Sequence, residues 1–300
     1  MKKTNNFKNE NIKASVCILT YNHEQFIGQA IDSVLNQKLN FFYEIVVGED
    51  YSTDKTRKIL LDYQKKYPKK IKLLLNKRNL GVIENFIQTL NNCKGKYIAL
   101  CEGDDYWVDS SKLQKQIDFL ESNSEYSVCY QDAKIINEKG VIINNRYGPK
   151  KDFSCEELIK GPIIPLHSLC FRNVLKDFPL EQKKMVGIHR FSISRLGLYG
   201  KGKWLGDSIL PGRYRIHSGG SWSTKDKKEK LFIDASSSFW TYQYYKRIGK
   251  EKYANYWKDE FLRVISKINK DNNIFSFQIS QSFIRLGVLN KLLQIKIRKD

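Results

Sequence analysis

Lys96-Tyr97-Ile98-Ala99-Leu100-Cys101-Glu102-Gly103-Asp104-Asp105-Tyr106-Trp107 runs from an apolar segment straight into three carboxylates. The apolar part, bounded by Gly95 and Gly103, reads as a buried central strand. Alternate residues of an extended chain share a face, so Glu102 and Asp104 are expected on one side and Asp105 on the other. Gly103 has no Cβ and lets a ligand approach the backbone. Carboxylates converging at a strand's end tolerate each other when a hard divalent cation lies between them, with coordination positions left for phosphate oxygens. An acidic turn that merely caps the next helix accounts for this stretch equally well, so the remainder of the chain has to discriminate.

Outward from this strand, the chain alternates. Ala14–Thr20, Tyr43–Gly48 and Ile71–Leu75 read as strands. Helical spacing joins Phe26, Ile27, Ala30, Ile31, Val34 and Leu35, then Ile59, Leu60, Tyr63 and Tyr67, then residues 82–90, then Leu113, Ile117 and Leu120. Ser52 or Thr53 is the expected cap of the second helix, and Pro68 its end. Four strands alternating with helices predict an α/β, doubly wound, mostly parallel sheet with right-handed crossovers. Ligands of such sheets bind outside the strands' carboxyl ends, where Thr20, Asp50 and Glu102/Asp104 all fall. Beyond residue 126 the pattern becomes short strands (127–130, 133–137, 141–144), with a hairpin turn at Glu138-Lys139-Gly140. A capping box at Ser154/Glu157, an extended buried run over 163–172, a helix over 188–199 and strands near Trp204 and over 209–216 follow. From Thr224 the chain reads as helical, basic and aromatic, with no internal repeat.

Composition narrows the class. Hydrophobic residues at 41% suit a globular chain, and no apolar run reaches membrane-spanning length. Met1 to Glu10 lacks the apolar core of a signal peptide. Cys17, Cys93, Cys101, Cys129, Cys155 and Cys170 show no metal-binding spacing and read as reduced thiols of a cytoplasmic protein. The formal charge of +20 calls for an anionic partner or a lysine-rich surface. Residues 225–300 hold 17 Lys and Arg against 8 Asp and Glu, which makes an anionic membrane surface one candidate partner for this segment, beside a homodimer contact and plain packing.

Four stretches together resemble the family 2 glycosyltransferases of bacterial surface-glycan type: Ser15 to Asn22, Glu49-Asp50-Tyr51-Ser52-Thr53-Asp54, Glu102 to Trp107, and Tyr214 to Ser223. The resemblance implies a GT-A fold over 1–223, with a nucleotide-sugar-binding half (12–125) and an acceptor-side half (126–223), followed by a helical segment over 224–300. It implies an inverting transfer from a nucleotide-diphosphate sugar to a glycan or lipid-linked acceptor, dependent on Mn²⁺ or Mg²⁺, in polysaccharide synthesis at the inner face of the plasma membrane. Carried over by position, Thr20, Tyr21, Asn22, Glu49, Asp50, Ser52, Glu102, Asp104, Asp105 and Arg215 would bind the nucleotide sugar. Asp104, Glu102 and His217 would hold the metal. Glu102 stands where the family's DXD motif has Asp, and Tyr51 where it usually has Gly. The general base would be His189, which precedes Arg190-Phe191 where relatives carry a carboxylate; Asp177 and Glu181 are the fallback groups. A nucleotidyltransferase should show a Gly-rich basic loop after the first strand, where this chain has Tyr21-Asn22-His23-Glu24. A nucleic-acid-binding protein should show a recognisable binding motif or a compact basic stripe interleaved with aromatics, and these marks appear only loosely in the C-terminal segment; nucleic acid is not an expected partner.

Overall fold

The computed structural model describes residues 11–271 and divides into two units, one made of the N-terminal part through Phe178 plus Ser192–Thr224, the other of Pro179–Phe191 plus the chain from Lys225 onward. Residues 179–191, within the stretch 1–223 expected as one domain, fall in the second unit with the chain from Lys225 onward. Residues 1–10 and 272–300, which carry the start of the chain and the end of the basic tail, lie outside the described residues.

The first unit is built on a seven-stranded sheet. Strands β1 (Ala14–Thr20), β2 (Tyr43–Glu49), β3 (Ile71–Leu75) and β4 (Tyr97–Glu102) alternate with helices α1 (Ile27–Leu35), α2 (Thr56–Lys66) and α3 (Val82–Asn91). After α4 (Lys112–Ser122) come β5 (Tyr126–Tyr130), β6 (Ala133–Ile136), β7 (Ile142–Tyr147), α5 (Cys155–Ile159) and β8 (Cys170–Arg172). The order across the large sheet is β3-β2-β1-β4-β8-β5-β9, where β9 is Lys201–Trp204. β1 to β4 are parallel, whereas β8 runs antiparallel to both β4 and β5. A second sheet of three strands joins β10 (Gly212–Arg215) to β6 and β7.

Local chemistry explains the elements. Ile27, Ala30, Ile31 and Val34 form the buried stripe of α1. They join Val16, Ile18, Ile45, Val47, Ala99, Leu113 and Ile117 in one continuous core. Gly95 admits the entry to β4, because a Cβ there would lie 2.4 Å from the Ser15 nitrogen.

Two sequence expectations change here. α2 begins at Thr56, and the first-turn nitrogen of Thr56 donates to Asp54 Oδ1 at 2.9 Å, while Ser52 and Thr53 bond across to the loop after β1. The run 163–172 is not one strand: a 3₁₀ turn at Leu166–Ser168 precedes the short β8. Pro165 starts that turn, and Ser168 Oγ donates back to the Pro165 carbonyl at 2.6 Å. The capping box at Ser154 and Glu157 forms as expected.

The second unit contains α6 (Leu180–Lys183), α8 (Lys227–Arg247) and α9 (Glu251–Asp271), and the first three residues of α7 (His189–Leu196) also belong to it. Asp226 and Glu229 cap α8 reciprocally. Phe239 on α8 packs on Phe261 of α9 at 5.4 Å between ring centres. Trp240, Tyr242, Tyr244, Tyr245 and Trp257 are buried, so these rings are taken up in packing rather than offered to a lipid headgroup layer. Among the described residues, no helix is long and apolar enough to cross a membrane.

Candidate active site

β1 and β4 are parallel neighbours, which sets their carboxyl ends side by side. The chain leaves β4 at Glu102 in a turn closed by the Asp105 nitrogen donating to the Glu102 carbonyl at 3.1 Å. Gly103 lies flat against the end of β1; a Cβ on it would stand 2.7 Å from Thr20 Oγ1 and 2.8 Å from His23 Nδ1. Only glycine allows this approach.

The turn redistributes the carboxylates. Asp104 meets His23 and His217, while Glu102 meets Asp105 and His167, the ligand atoms within each trio lying no more than 4.8 Å apart. The expectation that Glu102 and Asp104 share a face with Asp105 opposite is overturned. Side chains alternate only while the backbone is extended, and extension ends at Glu102.

In the first trio His217 Nε2 lies 3.0 Å from Asp104 Oδ2, and His23 Nε2 lies 3.9 Å from the same oxygen. The His23 and His217 rings meet edge to face at 5.7 Å, and Phe26 packs against His217 at 4.8 Å. Burial alone would raise the Asp104 carboxyl, but the hydrogen bond with His217 and the two imidazole charges prevail and hold it below the usual range. Burial lowers the His23 imidazole against the opposing pull of Asp104.

The second trio is drier. His167 is fully buried, with Nδ1 2.9 Å from Asp105 Oδ2 but out of line for a hydrogen bond. Tyr214 stacks on its ring at 6.3 Å, and Trp107 Nε1 donates to its carbonyl at 2.8 Å. Burial, followed by the positive charge of Lys112, lowers His167 to about 3, so its ring is neutral. Burial and the neighbouring carboxylates push both Glu102 and Asp105 well above the ordinary carboxylate range. Glu102 is partly exposed, whereas Asp105 is buried and accepts from the Arg215 nitrogen at 2.8 Å.

Arg215 is nearly sealed from solvent and committed to the protein. Its guanidinium donates to the carbonyls of Asp104, Asn137 and Glu138 and to Gln29 Oε1, at 3.0, 3.2, 2.9 and 2.7 Å, and it lies over the Phe26 ring. It therefore braces the turn that carries Asp104.

The residues expected on the nucleotide side also organise loops. Asp50 is buried and accepts from Asn76 Nδ2 and from the Leu80 and Gly81 nitrogens, at 2.9, 2.8 and 2.9 Å. Glu49 accepts from the Ser52 nitrogen at 2.6 Å and pairs with Arg57. Ser52 Oγ accepts from the Asn22 nitrogen, and Asn22 Oδ1 accepts from the Thr53 nitrogen. Thr20 Oγ1 contacts His23 Nδ1 at 3.2 Å, and Tyr21 is exposed. Tyr51 has φ of 64°, the left-handed backbone that glycine adopts without cost, and Arg57 lies over its exposed ring. His189 opens α7 in the helical unit. The fallback carboxylates are engaged, Asp177 with Arg195 and Glu181 with Arg247.

His23 is the site residue that sequence reasoning passed over as part of a turn. Its position three residues beyond Thr20, at the mouth of a doubly wound sheet, was the available signal.

The mostly parallel seven-stranded sheet, with a smaller second sheet from which His217 reaches Asp104, has a GT-A type architecture. Residues 15–194, more than half of the chain, match the description Glycosyl transferase family 2, and the chain belongs to that family. An uncharacterized protein of Mycobacterium tuberculosis is 35% identical over 161 residues, 53% of this chain and 46% of the relative. The chain thus spans about half the length of the first curated relatives it matches. An uncharacterized glycosyltransferase of Methanocaldococcus jannaschii is 28% identical over 227 residues, 73% of this chain and 76% of that one. The crystal structure of S. aureus TarS 1–349 in complex with UDP-GlcNAc superposes with a TM-score of 0.57 and 19% identity over 76% of this chain and 66% of that one, a likeness of fold.

The donors suit a divalent transition cation. One carboxylate and two imidazole nitrogens converge within 4.8 Å, Asp104 is held ionised, and Asp104 and His23 are partly exposed while His217 is buried.

Proposed function

We propose that this chain is a metal-dependent, inverting glycosyltransferase. It moves one sugar from a nucleotide-diphosphate sugar to a hydroxyl of a glycan or lipid-linked acceptor, in cell-surface polysaccharide synthesis. The observation that carries this reading is the Asp104–His217 pair, 3.0 Å apart at the tip of β4. A bound Mn²⁺ or Mg²⁺ supplies positive charge to the departing diphosphate. Asp104 and His217 would hold that ion. Glu102, partly exposed next to it, is placed to accept hydrogen bonds from donor hydroxyls. Asp50 and Glu49 act one step back, by fixing the loops at 76–81 and 51–57 that wall the nucleotide side. Inversion by one displacement requires a base for the acceptor hydroxyl, and by its place in the chain His189 takes that role. The UDP-GlcNAc bound to TarS makes uridine-diphosphate sugars the first donors to try.

The test is a thermal-shift panel of nucleotide sugars, with and without Mn²⁺, on wild type and Asp104→Ala. A cation-dependent shift with one donor, lost in the variant, is expected. A donor shift of equal size without cation and in the variant would overturn the metal-dependent reading.

A further inference from the structure

We propose that His23 is a third protein ligand of the cation at the tip of β4, giving a set of two imidazoles and one carboxylate that favours Mn²⁺ over Mg²⁺. The inference rests on the reading that Asp104 and His217 hold a cation, and it adds a residue and a metal preference to that reading.

The ring of His23 is positioned from several directions. Its Nδ1 lies 3.2 Å from Thr20 Oγ1, and its backbone nitrogen donates to Thr56 Oγ1 at 2.8 Å. The preceding residue, Asn22, is held in left-handed backbone at φ 56° by hydrogen bonds with Ser52 and Thr53. Gly103 leaves the space against which the ring lies. These bonds tie His23 to the loop after β2, and they pre-orient Nε2 toward Asp104.

With Nδ1 donating to Thr20 Oγ1, Nε2 offers the lone pair that a cation ligand needs. It lies 3.9 Å from Asp104 Oδ2, beyond hydrogen-bond reach but within the span of two ligands on one cation. A cation between the two is a common partner for both atoms. The third member, His217 Nε2, closes the trio within 4.8 Å. Imidazole suits first-row transition ions, with Mn²⁺ the weakest binder among them, whereas Mg²⁺ prefers oxygen ligands and sheds water reluctantly. Each imidazole in the set therefore moves selection away from Mg²⁺, and between Mn²⁺ and Mg²⁺ toward Mn²⁺.

The experiment is Mn²⁺ binding by electron paramagnetic resonance on the full chain without donor. Wild type is compared with His23→Ala, His23→Asn, His217→Ala and Asp104→Asn, with folding followed by circular dichroism. Asp104→Asn is expected to remove most Mn²⁺ binding. Both His23 variants should weaken Mn²⁺ on the order of tenfold or more while Mg²⁺ competition changes little. Nitrogen modulation of the bound Mn²⁺ signal should report two imidazoles in wild type and one in either His23 variant. His23→Asn keeps a side-chain donor for Thr20, so it carries the test where His23→Ala does not fold. Unchanged Mn²⁺ affinity with two imidazoles retained in folded His23 variants would overturn the proposal while the Asp104 site stands. Unchanged binding in Asp104→Asn would overturn the underlying cation reading instead.

Discussion

Arg215→Met separates two roles that this arginine can have, binding the donor's diphosphate or bracing the site. The structure favours bracing, because the guanidinium ends on four protein acceptors, three of them backbone carbonyls of Asp104, Asn137 and Glu138. Methionine fills most of the aliphatic volume but donates nothing; the Asn137 carbonyl keeps the Gly140 nitrogen and the exposed Glu138 is open to water, so the Asp104 carbonyl bears the main loss. An orphaned carbonyl costs about 1–3 kcal/mol, reduced where water re-enters. The contact of the cation with Phe26, 4.6 Å from guanidinium carbon to ring centre, adds about 1 kcal/mol. Taking the lower end for the Asp104 carbonyl and adding the Phe26 contact gives a loss of about 2 kcal/mol, or a fall on the order of 5 °C in the melting temperature of the sheet-containing unit. Thermal melts and urea titrations of the donor-free protein measure this directly. Donor-free stability within about 0.5 kcal/mol of wild type, together with a large loss of nucleotide-sugar affinity, would refute the bracing argument and return Arg215 to the diphosphate.

His189→Ala is expected to abolish sugar transfer while leaving the donor-induced thermal shift nearly intact; unchanged turnover would move the base elsewhere. Asp109 provides a pH test away from the site. Burial alone would raise its carboxyl, but hydrogen bonds from Ser111, Leu210 and Lys115 hold it at about 2. Its folded value lies below the unfolded one of about 3.9, so its stabilisation is present above pH ~4 and is lost as the pH falls from ~4 to ~2. Asp109→Asn should cost about 1–2 kcal/mol at pH 7 and flatten the acid limb of stability, measured by urea midpoints between pH 2 and 6; an acid limb equal to wild type would refute the assignment.

Much of the fold was legible because its signals are local. The alternation of short apolar runs with helical stripes placed β1 to β4 and α1 to α4, and the spacing of Ser154 and Glu157 marked a cap that forms. Four motifs in order identified the family that residues 15–194 match. Asp104 at the mouth of the sheet, with His217 as its companion, was also readable, since both belong to those motifs.

What the linear chain determined by itself is the sequence of elements and the side of the sheet on which charged groups collect, because hydrophobic period and strand polarity are properties of neighbouring residues. The tertiary structure alone decided which group faces which. Asp104 and His217 are 113 residues apart, yet only 3.0 Å in space. The turn after β4 divided Glu102 from Asp104, His23 came in from the end of β1, and Asp50 and Arg215 spent their hydrogen bonds on loops and carbonyls. Such pairings depend on where backbone extension stops and on which distant atoms need a partner once water is excluded, and neither quantity has a period in the sequence.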